Sequence, residues 1–258
     1  MSLRLETEPL NLRFPAEASR IRRAFLEAIP SGILGEMKPF LHERNLRAGA
    51  VLHEPGVEIT EIFFPASAVV SLLEDLAEGT STQVAMVGRE GAIGINAAMN
   101  SGVAISRAVV QISGSATVIP VRRLAPIAAA HEPLRHLIAR YNDTLLAQVQ
   151  RTAACNARHS TEERVCRLLL HSRDLAHSDE LSLTQESISE HLGVRRTTVT
   201  LIAKALQKAG LIDYRRGRIA IQDVNGLRDA TCDCYEFING LPERLLETQQ
   251  DFAKLSAG

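Results

Sequence analysis

The chain has 258 residues, of which 45% are hydrophobic and 23% charged, and its formal net charge is −1 at pH 7. These values are ordinary for a globular protein and leave room for two domains. No run of 18 apolar residues occurs, and the opening MSLRLETEPL has no apolar signal core. We therefore expect neither a membrane protein nor a secreted one, and we predict a cytoplasmic location.

The first forty residues predict helices that serve only for packing. Residues 1–19 are polar and irregular, and we interpret them as a loose arm. From residue 20 to residue 41, apolar residues recur at helical spacings that are interrupted by Pro30 and Gly32. This pattern predicts two short helices.

Between residues 45 and 121 the sequence is rich in glycine and in short β-prone runs. Eight of the sixteen glycines fall here, between short β-prone runs at 61–64, 69–73, 82–87 and 108–112. Short strands separated by turn signals about every ten residues are typical of a double-sheet β-roll.

A long helix is predicted over residues 131–158. It carries an apolar seam with spacings of three and four, close to a heptad repeat, formed by Leu134, Ile138, Tyr141, Leu145, Val149 and Thr152. A seam of this length needs a partner, so we assign it to a homodimer interface. The alternative is that the seam packs on the β-roll of its own chain.

A hinge is predicted at residues 156–160. Ser160 or Thr161 can cap the next helix, and Glu162 and Glu163 fall in its first turn, where the helix dipole favours acidic side chains.

The stretch from Leu183 to Lys208 predicts a helix-turn-helix. Thr184 stands where it can cap the first helix, and Gly193 ends that helix. A buried stripe on the second helix is predicted from apolar residues at Val199, Ile202 and Leu206. The opposite face is rich in arginine and threonine, which can bind base edges and phosphates in the major groove. An ordinary two-helix corner is the alternative.

A wing follows the two helices. Two β-prone runs, 211–214 and 219–221, flank the hairpin tip Arg215-Arg216-Gly217-Arg218. From residue 181 to residue 221 there are seven Lys/Arg against three Asp/Glu, a charge of +4 in a chain of −1. This local charge suits a phosphate backbone.

Residues 183–221 resemble the winged helix-turn-helix of the Crp/Fnr family of bacterial transcription regulators. Recognition helices of that family typically begin Ser-Arg-Glu-Thr-Val, and the matching positions here read Arg195-Arg196-Thr197-Thr198-Val199. Leu201 replaces a second family arginine, so a different DNA sequence is expected. The predicted DNA contacts are Thr184, Gln185, Arg195, Arg196, Thr197, Thr198, Thr200, Leu201, Lys204, Arg215, Arg216 and Arg218.

The resemblance implies an α+β fold with an N-terminal double-stranded β-helix, that is, a jelly-roll-like β-roll, a long dimerisation helix and a C-terminal winged helix-turn-helix. It implies a homodimer that binds a palindromic site in double-stranded DNA, has RNA polymerase as a further partner, and is not an enzyme. The predicted divisions of the chain are an N-terminal arm (residues 1–19), the β-roll effector domain (20–130), the dimerisation helix (131–158), the winged helix-turn-helix (159–225) and a C-terminal helical extension (226–258).

At the effector site the sequence departs from the family. Its cyclic-nucleotide-binding members have Gly-Glu followed by Arg-Ser, whereas this chain has Gly91-Ala92 and Ser106-Arg107. A shift of one residue turns a strand side chain onto the other face, so control by the usual cyclic-AMP mode is not expected. We predict no definite cofactor, and an unidentified small-molecule effector remains open. The candidate lining residues are Glu90, Gly91, Gly94, Ser106 and Arg107, for which a surface salt bridge and turn glycines are the alternative.

Other types of sensor domain need ligands that the sequence does not clearly supply. An Fnr-type iron–sulfur cluster needs cysteines near the N-terminus, where this chain has none. A haem needs an axial ligand, for which His42, His53, His131 and His136 are nominal candidates. A cupin-like metalloenzyme needs clustered ligands such as His-x-His, which His53-Glu54 does not supply.

The tail, residues 222–258, carries seven acidic and three basic residues and enough apolar residues to predict one or two helices that pack back on the chain; these are Leu227, Tyr235, Phe237, Ile238, Leu241, Leu245 and Leu246. The four cysteines, at 155, 166, 232 and 234, are interpreted as reduced thiols. Because a metal site needs four ligands and no second Cys/His pair lies near Cys232-x-Cys234 in sequence, no metal site is predicted.

Overall fold

A computed structural model describes residues 25–77, 79–100 and 102–242 of the chain. The predicted arm over residues 1–19 and the tail leucines Leu245 and Leu246 lie outside these residues. None of the described helices combines the length and the hydropathy that crossing a bilayer requires.

Two antiparallel sheets form the N-terminal half of the structure. The strands are β1 (His42–Leu46), β2 (Val51–His53), β3 (Glu61–Pro65), β4 (Val69–Asp75), β5 (Ser81–Val87), β6 (Arg107–Ile112) and β7 (Gly114–Pro120). One sheet has the order β1-β7-β3 and the other β2-β6-β4-β5. The β-prone runs found in the sequence lie in β3, β4, β5 and β6, so the β-roll prediction is confirmed.

Side chains from both sheets meet in one apolar core. Phe63 and Val118 enter it from the first sheet, and Val70 and Val110 enter it from the second. The loop between β3 and β4 packs tightly against the start of β7: a Cβ on Gly114 would overlap the backbone nitrogen of Ala68. Only glycine allows this contact, so a residue that looked like a turn signal is required for packing.

Helices cover the open side of the first sheet. They are a 3₁₀ turn (Phe25–Ala28), α1 (Ser31–Met37), a second 3₁₀ turn (Lys38–Phe40), α2 (Val121–Ala130) and the long α3 (Glu132–Arg158). The Phe25 ring stacks on Phe64 of β3 at 5.7 Å and meets Tyr141 of α3 edge-on at 5.3 Å. The helices and the β-roll therefore share a core.

The apolar seam of α3 lies inside this core, so its assignment to a dimer interface is corrected. Leu134 and Ile138 are completely buried, and Tyr141 and Thr152 are 5% exposed. Leu145 packs against the core of the β-roll, and Val149 is half-buried. The seam covers its own β-roll because the first sheet and α2 offer it a large apolar surface; this is the alternative that the sequence left open.

A capped helix, α4 (Thr161–Ala176), starts the C-terminal half. The Ser160 hydroxyl accepts a hydrogen bond from the Glu163 N–H, and the Glu163 carboxylate accepts one from the Ser160 N–H. This capping box fixes where the chain turns after α3. Eleven of the sixteen residues of α4 are buried, because the helix lies between the β-roll and the remaining C-terminal elements.

The remaining elements form the helix-turn-helix, the wing and the tail. They are β8 (Glu180–Leu181), α5 (Gln185–Leu192), α6 (Arg196–Lys208), β9 (Ile212–Arg215), β10 (Arg218–Ile221), α7 (Val224–Asp229) and α8 (Cys234–Asn239). The wing sheet has the order β8-β10-β9. The two-residue strand β8 was missed in the sequence because it is too short to show alternation. Tail packing is confirmed: Leu227 is fully buried, and the Tyr235 hydroxyl donates to Asp174 of α4 at 2.7 Å.

A buried polar network joins the β-roll to α4. Ser71 donates to the Gln111 side-chain oxygen at 2.5 Å, and Gln83 donates to the Ser71 hydroxyl at 2.7 Å. The Gln111 amide in turn donates to the Ser172 hydroxyl of α4 at 3.4 Å. Buried polar groups need such partners, so the network favours one docked position of α4 on the sheet.

His191 of α5 makes the stability of the chain depend on pH. It is 7% exposed and its Nδ1 atom has no hydrogen-bond partner among the described residues. Burial lowers the pKa of His191 to about 4, against an ordinary value of 6.5. Between these two pH values the unfolded chain binds more protons than the folded chain. The contribution of His191 to the free energy of unfolding is therefore fully present above pH 6.5 and is lost as the pH falls towards 4.

We expect the free energy of unfolding to fall by about 3 kcal/mol through this group as the pH is lowered across that window. Urea unfolding at about pH 7 and about pH 4.5 measures the loss. His191→Gln should show a smaller pH-dependent loss, while His42→Gln, the same change at an exposed side chain of β1, should behave like the parent chain. Equal losses in all three proteins would contradict the assignment.

Candidate nucleic-acid interface

The geometry of the helix-turn-helix follows from local caps. The Thr184 hydroxyl accepts from the Ser187 N–H at 3.0 Å, as the position of Thr184 predicts. Gly193 adopts the left-handed conformation, with φ of 62°, and ends α5. Arg195 stands at the start of α6 without capping it through its side chain, which leaves the first N–H groups of that helix free of a side-chain cap.

The second helix, α6, buries one apolar stripe and exposes its opposite face. Val199 and Leu206 are buried and Ile202 is half-buried against the same core, as the sequence predicts. The outward face contains the exposed residues Arg196, Thr197, Leu201 and Lys204. Leu201 is 69% exposed, so a large apolar side chain stands among charged ones with little contact to its own subunit.

Thr200 and Gln185 lie between the two helices and are bonded to each other. The Thr200 hydroxyl lies 2.7 Å from the Gln185 side-chain oxygen and 3.0 Å from the Arg196 carbonyl. The Gln185 N–H donates to the Tyr214 hydroxyl of β9 at 3.3 Å. These contacts brace the helix pair and the wing, a structural role that the sequence did not predict for them. Thr198 is half-buried, in the first turn of the helix.

The basic side chains are held loosely. Arg196 lies 3.5 Å from Glu186, with both side chains more than half exposed, and Arg215 lies 3.1 Å from Asp213. Exposed ion pairs of this kind contribute little to stability. Arg216, with φ of 49°, and Gly217, with φ of 77°, form the two-residue tip of the wing. The exposed arginines can therefore turn towards an anionic partner at small cost.

A separate cavity of about 210 Å³ opens in the β-roll beside α3. Of the five candidate effector residues, Gly94 and Ser106 line it. Arg107 does not, because its guanidinium lies 3.1 Å from both Glu54 and Asp75 on the surface.

Gly91 and Glu90 are also not among the residues that line this cavity. A Cβ on Gly91 would lie 2.6 Å from the Tyr141 hydroxyl, so this glycine allows α3 to pack against the β-roll. The Glu90 carboxylate accepts from the Gly88 N–H at 3.1 Å and faces a different recess between β5 and α3. The assignment of Glu90, Gly91 and Arg107 to the effector site is therefore corrected. Arg107 belongs to a surface salt bridge, and Gly91 is needed for packing.

The lining of the cavity is apolar with a few neutral polar groups. Apolar side chains such as Ile59, Ile93 and Ile95 form most of it, and Ser106 and Asn142 are among its polar members. No Lys, Arg, Asp or Glu of the described residues lines it. His53 also faces the cavity, and burial lowers its pKa, so that its ring is neutral at pH 7. The cavity therefore offers no cation to a phosphate group.

The cupin-like alternative needs clustered metal ligands inside the β-roll. The four-residue group of candidate ligands that the described residues contain lies elsewhere, at the end of α3.

A β-roll with a cavity, a long helix and a winged helix-turn-helix thus follow one another in this chain. Residues 163–230 match the family model of the Crp-like helix-turn-helix domain. The chain thus has the fold and the DNA-binding domain of a Crp/Fnr-type transcription regulator, which confirms the resemblance.

Solved structures of this type share the fold across most of the chain. A putative Crp/Fnr-family regulator from Eubacterium rectale is 19% identical, covers 79% of this chain and 95% of its own, and has a TM-score of 0.63. FixK2 from Bradyrhizobium japonicum is also 19% identical, covers 74% of this chain and 98% of its own, and has a TM-score of 0.62.

The c-di-GMP-responsive global regulator CLP from Xanthomonas campestris is 15% identical, covers 75% of this chain and 100% of its own, and has a TM-score of 0.61. No curated protein sequence matches the chain.

Proposed function

We propose that the chain is a sequence-specific, DNA-binding transcription regulator that binds a palindromic site as a homodimer and is not controlled by cyclic AMP in the usual mode. The observation that carries the proposal is the exposed face of α6, on which Arg196, Thr197, Leu201 and Lys204 stand beside the arginine-bearing wing.

In this proposal, α6 lies in the major groove. Arg196, near the start of the helix, can bind a guanine through two hydrogen bonds, Thr197 can bind a base or phosphate, and Leu201 can contact a thymine methyl group. Lys204 and the wing arginines bind phosphates. Arg195 and the uncapped first turn of α6 add a further anion-binding position.

A second stripe on α3 supplies the dimer interface. Seven exposed residues follow each other at alternating spacings of three and four, namely His136, Ala139, Asp143, Leu146, Gln150, Ala153 and Ala157. This is the spacing by which one helix packs along a symmetric copy of itself, with small residues that permit close approach. Leu146, near the middle, is 55% exposed. Two-fold pairing of α3 would place two α6 helices about 34 Å apart, one turn of DNA.

For the effector, the cavity favours a small uncharged molecule. A cyclic nucleotide carries a phosphate charge that needs a cation or several N–H donors, and Arg107 is held outside the cavity by Glu54 and Asp75. The Xanthomonas regulator is c-di-GMP-responsive; the lining found here supports a different ligand class. A DNA-binding regulator acts where the DNA is, which supports a cytoplasmic location, and RNA polymerase is the further partner that we propose.

The test is to select binding sites from a random DNA pool with the purified chain, at fixed salt and without added ligand. We expect a palindrome with half-sites one turn apart, and we expect added cyclic AMP to leave the affinity for it unchanged. Enhancement by cyclic AMP would overturn the effector part of the proposal alone. Failure to enrich any sequence, with or without the nucleotide, would overturn the DNA-binding role itself.

A further inference from the structure

Four side chains from distant parts of the sequence converge at the end of α3. Cys155 and His159 come from the last turn of that helix and its end, and Cys232 and Cys234 come from the segment where α8 begins. All of their ligand atoms lie within 4.8 Å of one another, and the three cysteines are buried.

The separations suit a single metal ion. Cys155 Sγ lies 3.6 Å from Cys232 Sγ, and Cys234 Sγ lies 3.6 Å from His159 Nδ1. An ion bound tetrahedrally, at about 2.3 Å from sulfur and about 2.0 Å from nitrogen, holds its ligand atoms roughly 3.5–3.8 Å apart. A four-iron cluster puts its cysteine sulfurs outside a cube of iron and sulfide, and therefore further apart than these atoms lie.

The surroundings of His159 match those of a histidine ligand. Its Nε2 atom lies 3.7 Å from the Asp233 carboxylate, on the opposite side of the ring from the nitrogen that faces Cys234. A carboxylate in this position favours the proton on Nε2 and leaves Nδ1 to bind a metal. Asp233 is itself 3.5 Å from Arg151 of α3, which helps to orient it.

Two buried arginines of α4 supply compensating charge. The Nε atoms of Arg164 and Arg167 are buried without a hydrogen-bond partner among the described residues. Both guanidinium groups interact electrostatically with Cys155, and Arg164 does so with Cys232 as well. Three thiolates and one divalent ion carry a net charge of −1, which nearby guanidinium groups stabilise in a buried place.

We propose that Cys155, His159, Cys232 and Cys234 form a tetrahedral site for one zinc ion. Three thiolates and one imidazole are a ligand set of structural zinc sites, which use all four positions and leave none for a substrate. The ion ties the end of α3 to the segment that follows the wing. The chain between the two ligand pairs contains the whole winged helix-turn-helix. The ion therefore links the two ends of that domain to each other.

Sequence spacing hid the site. A Cys-x₃-His pair on one helical face and a Cys-x-Cys pair are each weak signals of a metal site. The neighbouring sulfur atoms of Cys155 and Cys232 come from residues that are 77 positions apart. The pairing is visible only once α8 is seen to pack against α3 and α4. The prediction of no metal site rested on the lack of a second pair near Cys232 in sequence, and α3 supplies that pair in space.

The test uses the full chain, purified under reducing conditions, with elemental analysis for metals. We expect about one zinc per chain. Exchange with Co²⁺ should give the sulfur-to-cobalt charge-transfer band and the intense visible bands of a tetrahedral thiolate site. Cys155→Ser and Cys234→Ser should lose the ion and those bands, whereas Cys166→Ser, the same change at the buried cysteine outside the cluster, should keep both.

A second measurement covers variants that fail to fold. Removing the ion from the unaltered chain with a chelator should lower the thermal unfolding midpoint, and adding Zn²⁺ back should restore it. The proposal is overturned by substoichiometric metal with no tetrahedral cobalt spectrum, by iron with acid-labile sulfide in place of zinc, or by a Cys155–Cys232 disulfide that is present even after purification under reducing conditions. None of these outcomes depends on DNA binding, so the zinc site and the proposed function can fail separately.

Discussion

Leu146→Glu should dissociate the homodimer and abolish high-affinity binding to a palindromic site. Leu146 lies near the middle of the exposed α3 stripe, so two-fold pairing would bring two new carboxylates together in a place that excludes water. Like charges in such a position cost several kcal/mol. We expect the dimer dissociation constant to rise on the order of 100-fold or more, which corresponds to about 3 kcal/mol. Sedimentation velocity over a range of concentrations measures it.

The matched control is Leu76→Glu. Leu76 follows β4, lies far from α3 in sequence, and is 51% exposed against 55% for Leu146, so the same substitution changes hydration and charge to a similar extent. We expect this variant to remain dimeric and to unfold at the same temperature as the parent chain. A Leu146→Glu protein that sediments as a dimer would show that the subunits associate through another surface, or that α3 pairs only through its half-buried positions.

The coupling between dimerisation and DNA binding gives a second readout of the same variant. A monomer presents one α6 helix and one wing, and loses the gain in effective concentration that a linked second half-site provides. The affinity of Leu146→Glu for a single half-site should stay close to that of the parent chain. Loss of binding to the half-site as well would mean that the substitution disturbs the DNA-binding domain.

Arg196→Ala should weaken binding to the selected site by about 1–3 kcal/mol per half-site and relax the preference at one base position, because a bidentate contact to guanine is lost. Arg216→Ala, at the wing tip, should weaken specific and random DNA alike. It should also reduce the slope of log affinity against log salt by about one for each subunit, since a phosphate contact releases a counterion. Fluorescence anisotropy at several salt concentrations separates the two effects.

A control for charge is Arg122→Ala. Arg122 is exposed on α2, outside the winged helix-turn-helix, so the variant loses the same charge without losing a proposed contact. We expect its affinity to stay near that of the parent chain on both kinds of DNA. If Arg196→Ala and Arg216→Ala lower affinity for specific and random DNA by the same factor, the division between base contact and phosphate contact is wrong.

The ion pair between Arg196 and Glu186 does not mask this result. Both side chains are largely exposed at 3.5 Å, and exposed pairs contribute about 0–1 kcal/mol, less than the contact that replaces them on DNA. Glu186→Gln should therefore change specific affinity only slightly.

The features that the sequence predicted well are those encoded by neighbouring residues. Thr184 caps α5, Gly193 ends it in the left-handed conformation, and Val199 and Leu206 form the buried stripe of α6. Each depends on hydrogen bonds within a few residues or on the period of one helix, so local sequence is sufficient. The wing tip is similar, because Arg216-Gly217 is a turn that only a few residue pairs adopt.

The choice between the two faces of α3 needed the tertiary structure. Both the seam that begins at Leu134 and the stripe that contains Leu146 follow spacings of three and four, so periodicity predicts a helix with two candidate interfaces. Which face the β-roll covers depends on where β3, β7 and α2 expose apolar surface. The sequence identifies the amphipathic helix, and packing decides its partner.

By itself, then, the sequence determined four of the seven strands of the β-roll, β3 to β6, and the helix-turn-helix with its wing, because turn residues, caps and periodicity act over a few positions. Only the tertiary structure decided that Arg107 pairs with Glu54 and Asp75 outside the cavity, that Gly91 makes room for Tyr141, and that Cys155 meets Cys232. These contacts join residues 32 to 77 positions apart, and their geometry depends on how whole elements pack.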